Sequence, residues 1–127
     1  MFAWILHGPR DLRLEEIELD TSHLAPNEVY VETEVSALST GTDRGNYEGA
    51  ERVPGAPDYP RWVGYSQCGV VAKVGAEVTR FNPGDRVFAL KPHQSAYIGK
   101  ESDLVKVPAG VPAESAAMTY LYHLGFH

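Results

Sequence analysis

Glu28-Val29-Tyr30-Val31-Glu32-Thr33-Glu34-Val35-Ser36-Ala37 decides the fold class. Val29, Val31, Thr33, Val35 and Ala37 alternate with Tyr30, Glu32, Glu34 and Ser36. That period of two is the pattern of a strand with one face packed inward and the other in water. The turn residues Pro26-Asn27-Glu28 precede it, and Gly41 and Gly45 mark the break after it.

Further strands read outward from this one. Phe2-Ala3-Trp4-Ile5-Leu6 forms a first strand, closed by Gly8-Pro9. Leu12, Leu14, Ile17 and Leu19 form a second, bulged where the alternation slips by one residue. Downstream, strands run from Gly69 to Val74, from Arg86 to Leu90, from Ser95 to Gly99 and from Leu104 to Val107. Gly75-Ala76 and Phe81-Asn82-Pro83-Gly84-Asp85 supply turns between them. Ser39 to Pro60 is a long irregular excursion, with one helical turn expected near Asp43 to Tyr47. Pro112 suits a first helical position and Glu114 the helix N-terminus. Ala116, Ala117, Tyr120, Leu121 and Leu124 then fall on one apolar face. The chain is therefore expected to be mainly β, with one helix at its end.

With 127 residues there is room for one domain and not for two. Hydrophobic residues make up 43% and charged residues 22%, the balance of a globular core with a polar surface. A net charge of -6, with no run of five basic residues, argues against nucleic acid and anionic membrane as partners. No apolar run approaches the roughly 20 residues that a membrane helix needs. Met1 to Gly8 lacks the basic start of a signal peptide. The sole cysteine, Cys68, excludes an internal disulfide and suits a reducing, cytoplasmic location.

Three stretches resemble the medium-chain dehydrogenase/reductase family, the zinc-type alcohol dehydrogenase-like proteins. Val35-Ser36-Ala37-Leu38-Ser39-Thr40-Gly41-Thr42-Asp43 is similar to the strand that enters the family's Cys-Gly-Ser/Thr-Asp motif. Val63-Gly64-Tyr65-Ser66, followed by Gly69-Val70-Val71-Ala72-Lys73-Val74-Gly75, resembles the Gly-His-Glu segment and the Gly-x-Val-x-x-Val-Gly turn. Val78-Thr79-Arg80-Phe81-Asn82-Pro83-Gly84-Asp85-Arg86-Val87 resembles Val-x-x-Phe-x-x-Gly-Asp-Arg-Val. The resemblance implies a GroES-like, partly open β-barrel over residues 1–112. Residues 113–127 would begin the connecting helix to an absent Rossmann domain. No Gly-x-Gly-x-x-Gly run is present, so NAD or NADP would be bound mainly by that other domain. The parent protein is expected to be a homo-oligomer acting on a small-molecule substrate.

The resemblance also bears on zinc. Where the family ligates catalytic zinc, this chain carries Thr40, Tyr65 and Ser66, and the second cysteine position falls near Tyr120. Hydroxyls and phenols are poor ligands for an ion that takes sulfur and nitrogen donors. One cysteine also cannot build the family's four-cysteine structural site. No metal site is expected, and Cys68 with His93, His123 and His127 matches no zinc spacing.

The resemblance puts Thr42 where the family keeps a proton-relaying hydroxyl; a helix cap beside Asp43 is the alternative. Tyr65 either aims its phenol at substrate or packs. Asp43 is expected to order its loop by accepting N–H bonds or pairing with Arg44 or Arg86. The family's downstream relay histidine corresponds to Gly45. His93 is a candidate pocket donor, which makes Thr42, Tyr65 and His93 the catalytic candidates. Thr40, Gly41 and Thr42 are the cofactor-contacting candidates, and Tyr47, Ser66 and Tyr120 the substrate-pocket candidates. The resemblance implies hydride transfer, without zinc, between nicotinamide and a ketone, an alcohol or an activated double bond. The rival reading is a non-catalytic GroES-like binding module, but the Gly45 to Pro60 loop is charged and rich in proline and tyrosine rather than apolar.

Overall fold

The computed structural model describes residues 1–49 and 58–118. Eight strands come in the order β1 (Phe2–Gly8), β2 (Asp11–Glu16), β3 (Glu28–Ser36), β4 (Arg61–Trp62), β5 (Gln67–Val74), β6 (Arg86–Ala89), β7 (Ala96–Lys100) and β8 (Val105–Lys106). Helix α1 (Thr40–Glu48) follows β3, and α2 (Ala113–Ala117) follows β8. The strands make two antiparallel sheets, ordered β2-β1-β4 and β7-β3-β5-β6-β8. A bridge between Ala3 and Gln94 joins them. Neither sheet closes on itself, so the chain is a partly open, GroES-like β structure.

The alternating stretch is an interior strand of the five-stranded sheet. β3 lies between β5 and β7, and Val29 and Val31 are fully buried while Glu32 is exposed. Two bulges, between Tyr30 and Val31 and between Thr33 and Val35, let β3 curve along β5. Val29 and Val31 pack with Val71, Phe81, Val87, Ala89, Tyr97 and Leu104. A second cluster joins Ala37 and Cys68 to Ala113, Ala116 and Ala117, which seats α2 against β3 and β5. Arg86 reaches across β5 to Glu34, with both carboxylate oxygens in contact at 3.0 and 3.2 Å.

The Asn82-Pro83-Gly84-Asp85 turn depends on Gly84, whose φ of 96° is hard for any residue with a Cβ. Asp85 completes it: its N–H donates to the Asn82 carbonyl at 3.0 Å, and its carboxylate accepts from the Asn82 N–H at 2.9 Å.

Several boundaries differ from the sequence reading. The second strand stops at Glu16 rather than Leu19, and the Ile17 N–H instead donates to the Met1 carbonyl. β4 is unforeseen: two residues give no readable period, and pairing with Ile5 and Leu6 creates it. The helical turn near Asp43 is a nine-residue helix. β7 and β8 shift by about a residue from their expected bounds. The helix after Pro112 is present as α2, with Ala116 and Ala117 buried; Tyr120, Leu121 and Leu124 lie outside the described residues. No helix among the described residues is long and apolar enough to cross a membrane.

Burial pushes the Cys68 thiol up to about 11, from an ordinary value of 9.0. Between those values the unfolded chain releases its thiol proton and the folded chain retains it, so this group removes stability as pH rises through that window. Cys68 should resist iodoacetamide at pH 8 and react fully once urea unfolds the chain; rapid alkylation of the folded chain would contradict its burial.

Candidate functional site

Helix α1 is fixed at both ends. At its start, Ser39 has extended backbone and no side-chain capping bond. Asp43 ties Ser39 down without capping the first-turn N–H groups: its Oδ2 accepts from the Ser39 N–H at 2.8 Å, and its own N–H donates to the Ser39 carbonyl at 2.8 Å. At its end, Gly49 turns left-handed with φ 72°. There Pro9 sits so close to Gly49 that no Cβ would fit between them, and the Arg10 N–H donates to the Tyr47 carbonyl at 2.5 Å. The turn between β1 and β2 thus holds the C-terminus of α1.

A histidine holds the other end. His93 is 8% exposed and meets Asp43 Oδ2 through Nε2 at 3.3 Å, while Nδ1 contacts Ser36 Oγ. A carboxylate can only accept, so in the neutral ring Nε2 carries the proton and Nδ1 accepts from the Ser36 hydroxyl. The His93 backbone is tied as well: its N–H donates to Val63 at 2.7 Å, and its carbonyl accepts from Trp4 at 3.1 Å. Gly64, with φ 91°, lies under the ring, and a Cβ there would stand 2.4 Å from the imidazole. Asp43 Oδ1 is buried and has no hydrogen-bond partner among the described residues.

Between α1 and the β1–β2 hairpin lies a pocket of about 1220 Å³. Register builds its first wall: Trp4 pairs with Leu14 and Leu6 with Leu12, so these side chains and Phe2 share a face. Gly41, Arg44, Gly45 and Glu48, at helical spacing, form the second wall with Tyr47. Ser36, Val63, His93, Gln94 and Ser95 close it. Arg44 pairs with Glu48 at 3.3 Å on the rim.

The pocket thus brings Gly41, Tyr47 and His93 together. Thr42 is exposed on a different face of α1, three residues into the helix; it does not cap it, since Ser39 holds the cap position. Thr40 is the first residue of α1. Tyr65 is half-buried ahead of β5 and is not among the pocket-lining residues. Ser66 is fully buried, its hydroxyl donating to the Ala117 carbonyl at 2.5 Å beneath α2. Tyr120 lies outside the described residues. Neither expected arginine pairs with Asp43: Arg44 goes to Glu48 and Arg86 to Glu34, and His93 takes the contact.

Sequence reasoning missed Ser36 and the hairpin wall. The signal was available in part, since Phe2, Trp4 and Leu6 alternate, as do Leu12 and Leu14, making a hairpin apolar on its outer face too.

The zinc positions do not fit zinc. Ser66 spends its hydroxyl on Ala117, and among the described residues no three His, Cys, Asp or Glu side chains converge. Thr40, Tyr65 and Ser66 offer only hydroxyl and phenol oxygens, poor ligands for an ion that takes sulfur and nitrogen donors.

Gly64→Ala should lower stability by more than about 2 kcal/mol, because it adds a clash to the strain of the positive φ. Gly110→Ala, with φ 87° and open space around it, meets the strain alone and should lose about 1 kcal/mol. Urea unfolding of both variants checks this; equal losses would mean that the His93 ring does not press on Gly64.

The alcohol dehydrogenase GroES-like domain profile matches residues 25–121. The 2-desacetyl-2-hydroxyethyl bacteriochlorophyllide A dehydrogenase of Cereibacter sphaeroides is 43% identical over 88 residues, covering 68% of this chain and 26% of that protein. The quinone oxidoreductase of Pseudomonas aeruginosa is 40% identical over 70 residues, covering 52% of this chain and 22% of its own length. The Escherichia coli quinone oxidoreductase complexed with NADPH superposes with a TM-score of 0.73 at 25% identity, over 98% of this chain and 39% of that one. The chain therefore spans about a quarter of the length of these curated relatives. With the profile covering most of its length, the chain belongs to the alcohol dehydrogenase GroES-like domain family of the medium-chain oxidoreductases.

Proposed function

We propose that this chain is the substrate-binding half of a zinc-independent, NAD(P)-dependent oxidoreductase. It would serve hydride transfer to or from a ketone, an alcohol or an activated double bond. One observation carries this reading: the family match runs through the very positions where zinc ligands would stand, and oxygen donors occupy them. The relatives include two quinone oxidoreductases, one of them complexed with NADPH, which supports the class of reaction. NAD(P), held mainly by an adjoining Rossmann half, supplies the hydride.

This chain's residues would bind and polarise. Helix α1 begins without a side-chain cap, so N–H groups of Thr40, Gly41 and Thr42 point out of its first turn. Gly41 has open space where a Cβ would stand, so a dinucleotide could approach the backbone closely. The exposed Thr42 hydroxyl can donate to a carbonyl oxygen while accepting from a neighbouring hydroxyl, the arrangement that a metal-free electrophile needs. His93 already spends both ring nitrogens on Ser36 and Asp43. It would meet substrate only by giving up Asp43, and in the resting arrangement it positions α1. Tyr65 is a second candidate donor, half-buried beside Gly64. Assembly as a homo-oligomer in the cytoplasm completes the proposal.

In the protein carrying this chain together with its nucleotide-binding half, Thr42→Val should reduce kcat/KM about 10²-fold, the size of one positioned proton-transfer or hydrogen-bonding group. KM for NAD(P)H should change far less. Steady-state kinetics on chelator-treated enzyme reads both effects; unchanged turnover would remove Thr42 from the chemistry, and stoichiometric zinc needed for activity would remove the metal-free reading.

A further inference from the structure

We propose that Gln67 is a positioning residue: from the buried start of β5 it fixes the Pro92–His93 peptide, and through His93 it sets the end of α1 that carries Thr40, Gly41 and Thr42. The placing of the ring stands on the structure alone; its effect on turnover rests on the oxidoreductase reading.

Gln67 is fully buried, yet its amide is used at both ends. The Pro92 carbonyl can only accept, so the amide must turn Nε2 toward it, at 2.8 Å. Oε1 then faces Thr33 and accepts from its hydroxyl at 2.7 Å. The backbone beneath is held as well, because Gln67 pairs with Ser36 on β3 and with Ala89 on β6.

The bond to Pro92 acts through the planarity of the peptide. The Pro92 carbonyl and the His93 N–H lie in one plane. Gln67 holds the carbonyl side, and on the other side the His93 N–H donates to the Val63 carbonyl at 2.7 Å. With both sides tied the plane cannot rotate, and the His93 side chain leaves the backbone in one direction. The ring then meets Ser36, the strand partner of Gln67, through Nδ1 and Asp43 through Nε2. One residue pair, Ser36 with Gln67, therefore supplies a tie on the backbone of His93 and a tie on its ring. Asp43 carries the constraint on to Ser39 and the start of α1.

Stability gives little reason for an amide here. A buried hydrogen bond adds little net stability, and an apolar side chain of this length would fill the same space. The amide adds direction, since two bonds in a dry interior admit one arrangement of the corner they hold.

The test uses the whole protein, isotope-labelled on its histidine ring nitrogens, with the His93 signals assigned by their loss in His93→Gln. In the wild type they should show a single tautomer, with the proton on Nε2. Gln67→Met keeps the length of the side chain and removes both bonds. It should move the His93 signals toward an average of the two tautomers and lower kcat about tenfold, the cost of a small misplacement, with little change in KM for NAD(P)H. Thr33→Val cuts only the bond to Oε1; it should move the same signals less, and it serves where Gln67→Met does not fold. Val87→Ala opens a cavity in the same sheet away from these groups and should leave the signals and kcat in place. An averaged ring in the wild type, unmoved signals in whichever of the two network variants folds, or equal movement in Val87→Ala would overturn the proposal. Moved signals with unchanged kcat would leave Gln67 as the residue that places His93, and would remove the Thr42 end of α1 from the chemistry.

Discussion

The site depends on the contact between one imidazole and one carboxylate. Helix α1 has nine residues, too few to hold itself together in water, so its position must come from tertiary contacts. His93 provides the contact at one end, gripping Asp43 while Ser36 and Gly64 fix the ring from β3 and from the segment before β5. Pro9 and Arg10 provide the other. Four separate parts of the chain therefore set one helix, and that helix sets both a pocket wall and the exposed face that carries Thr42. The unsatisfied Asp43 Oδ1 is a cost that the arrangement carries, about 1–3 kcal/mol for a buried orphan acceptor. It persists because the surrounding contacts outnumber it.

The first hairpin does two jobs with one register. Its inner face buries Ala3 and Ile5, and its outer face lays Phe2 and Trp4 beside Leu12 and Leu14. An antiparallel pair ordinarily turns polar residues outward. Here β1 is apolar on both faces, while β2 sets Arg13 and Glu15 opposite Ile5 and Ala3, and the outer face with Leu12 and Leu14 meets α1 across a cavity instead of a packed layer. The second sheet is conventional by comparison: its interior strand β3 alternates, and the β3 glutamates stay near water, one of them paired with Arg86.

Much of this was legible in the sequence, because the fold is written in periods and turns. β3 announced itself by strict alternation, and the Asn82–Asp85 turn by residues suited to its positive φ and side-chain bond. Motif order along the chain then supplied the GroES-like architecture and the oxygen donors at the zinc positions. What stayed hidden was non-local. A two-residue strand such as β4 has no period to read and exists only through β1. Nothing in Asp43 or His93, 50 residues apart, shows that they touch. Ser36 looked like an outward polar residue of a strand. Ser66, a substrate-pocket candidate, holds the backbone of α2. Residue type suggested chemistry at these positions, and only topology shows which groups are free to perform it.

The most direct test of the account is an isotope transfer. The whole protein, freed of metal by chelation and verified by elemental analysis, is given NADPH or NADH carrying deuterium at C4 together with an apolar ketone. The account predicts deuterium on the carbinol carbon of the product at an undiminished rate. No label in any product from a range of ketones and enones, or transfer restored only by added zinc, would contradict a metal-free oxidoreductase.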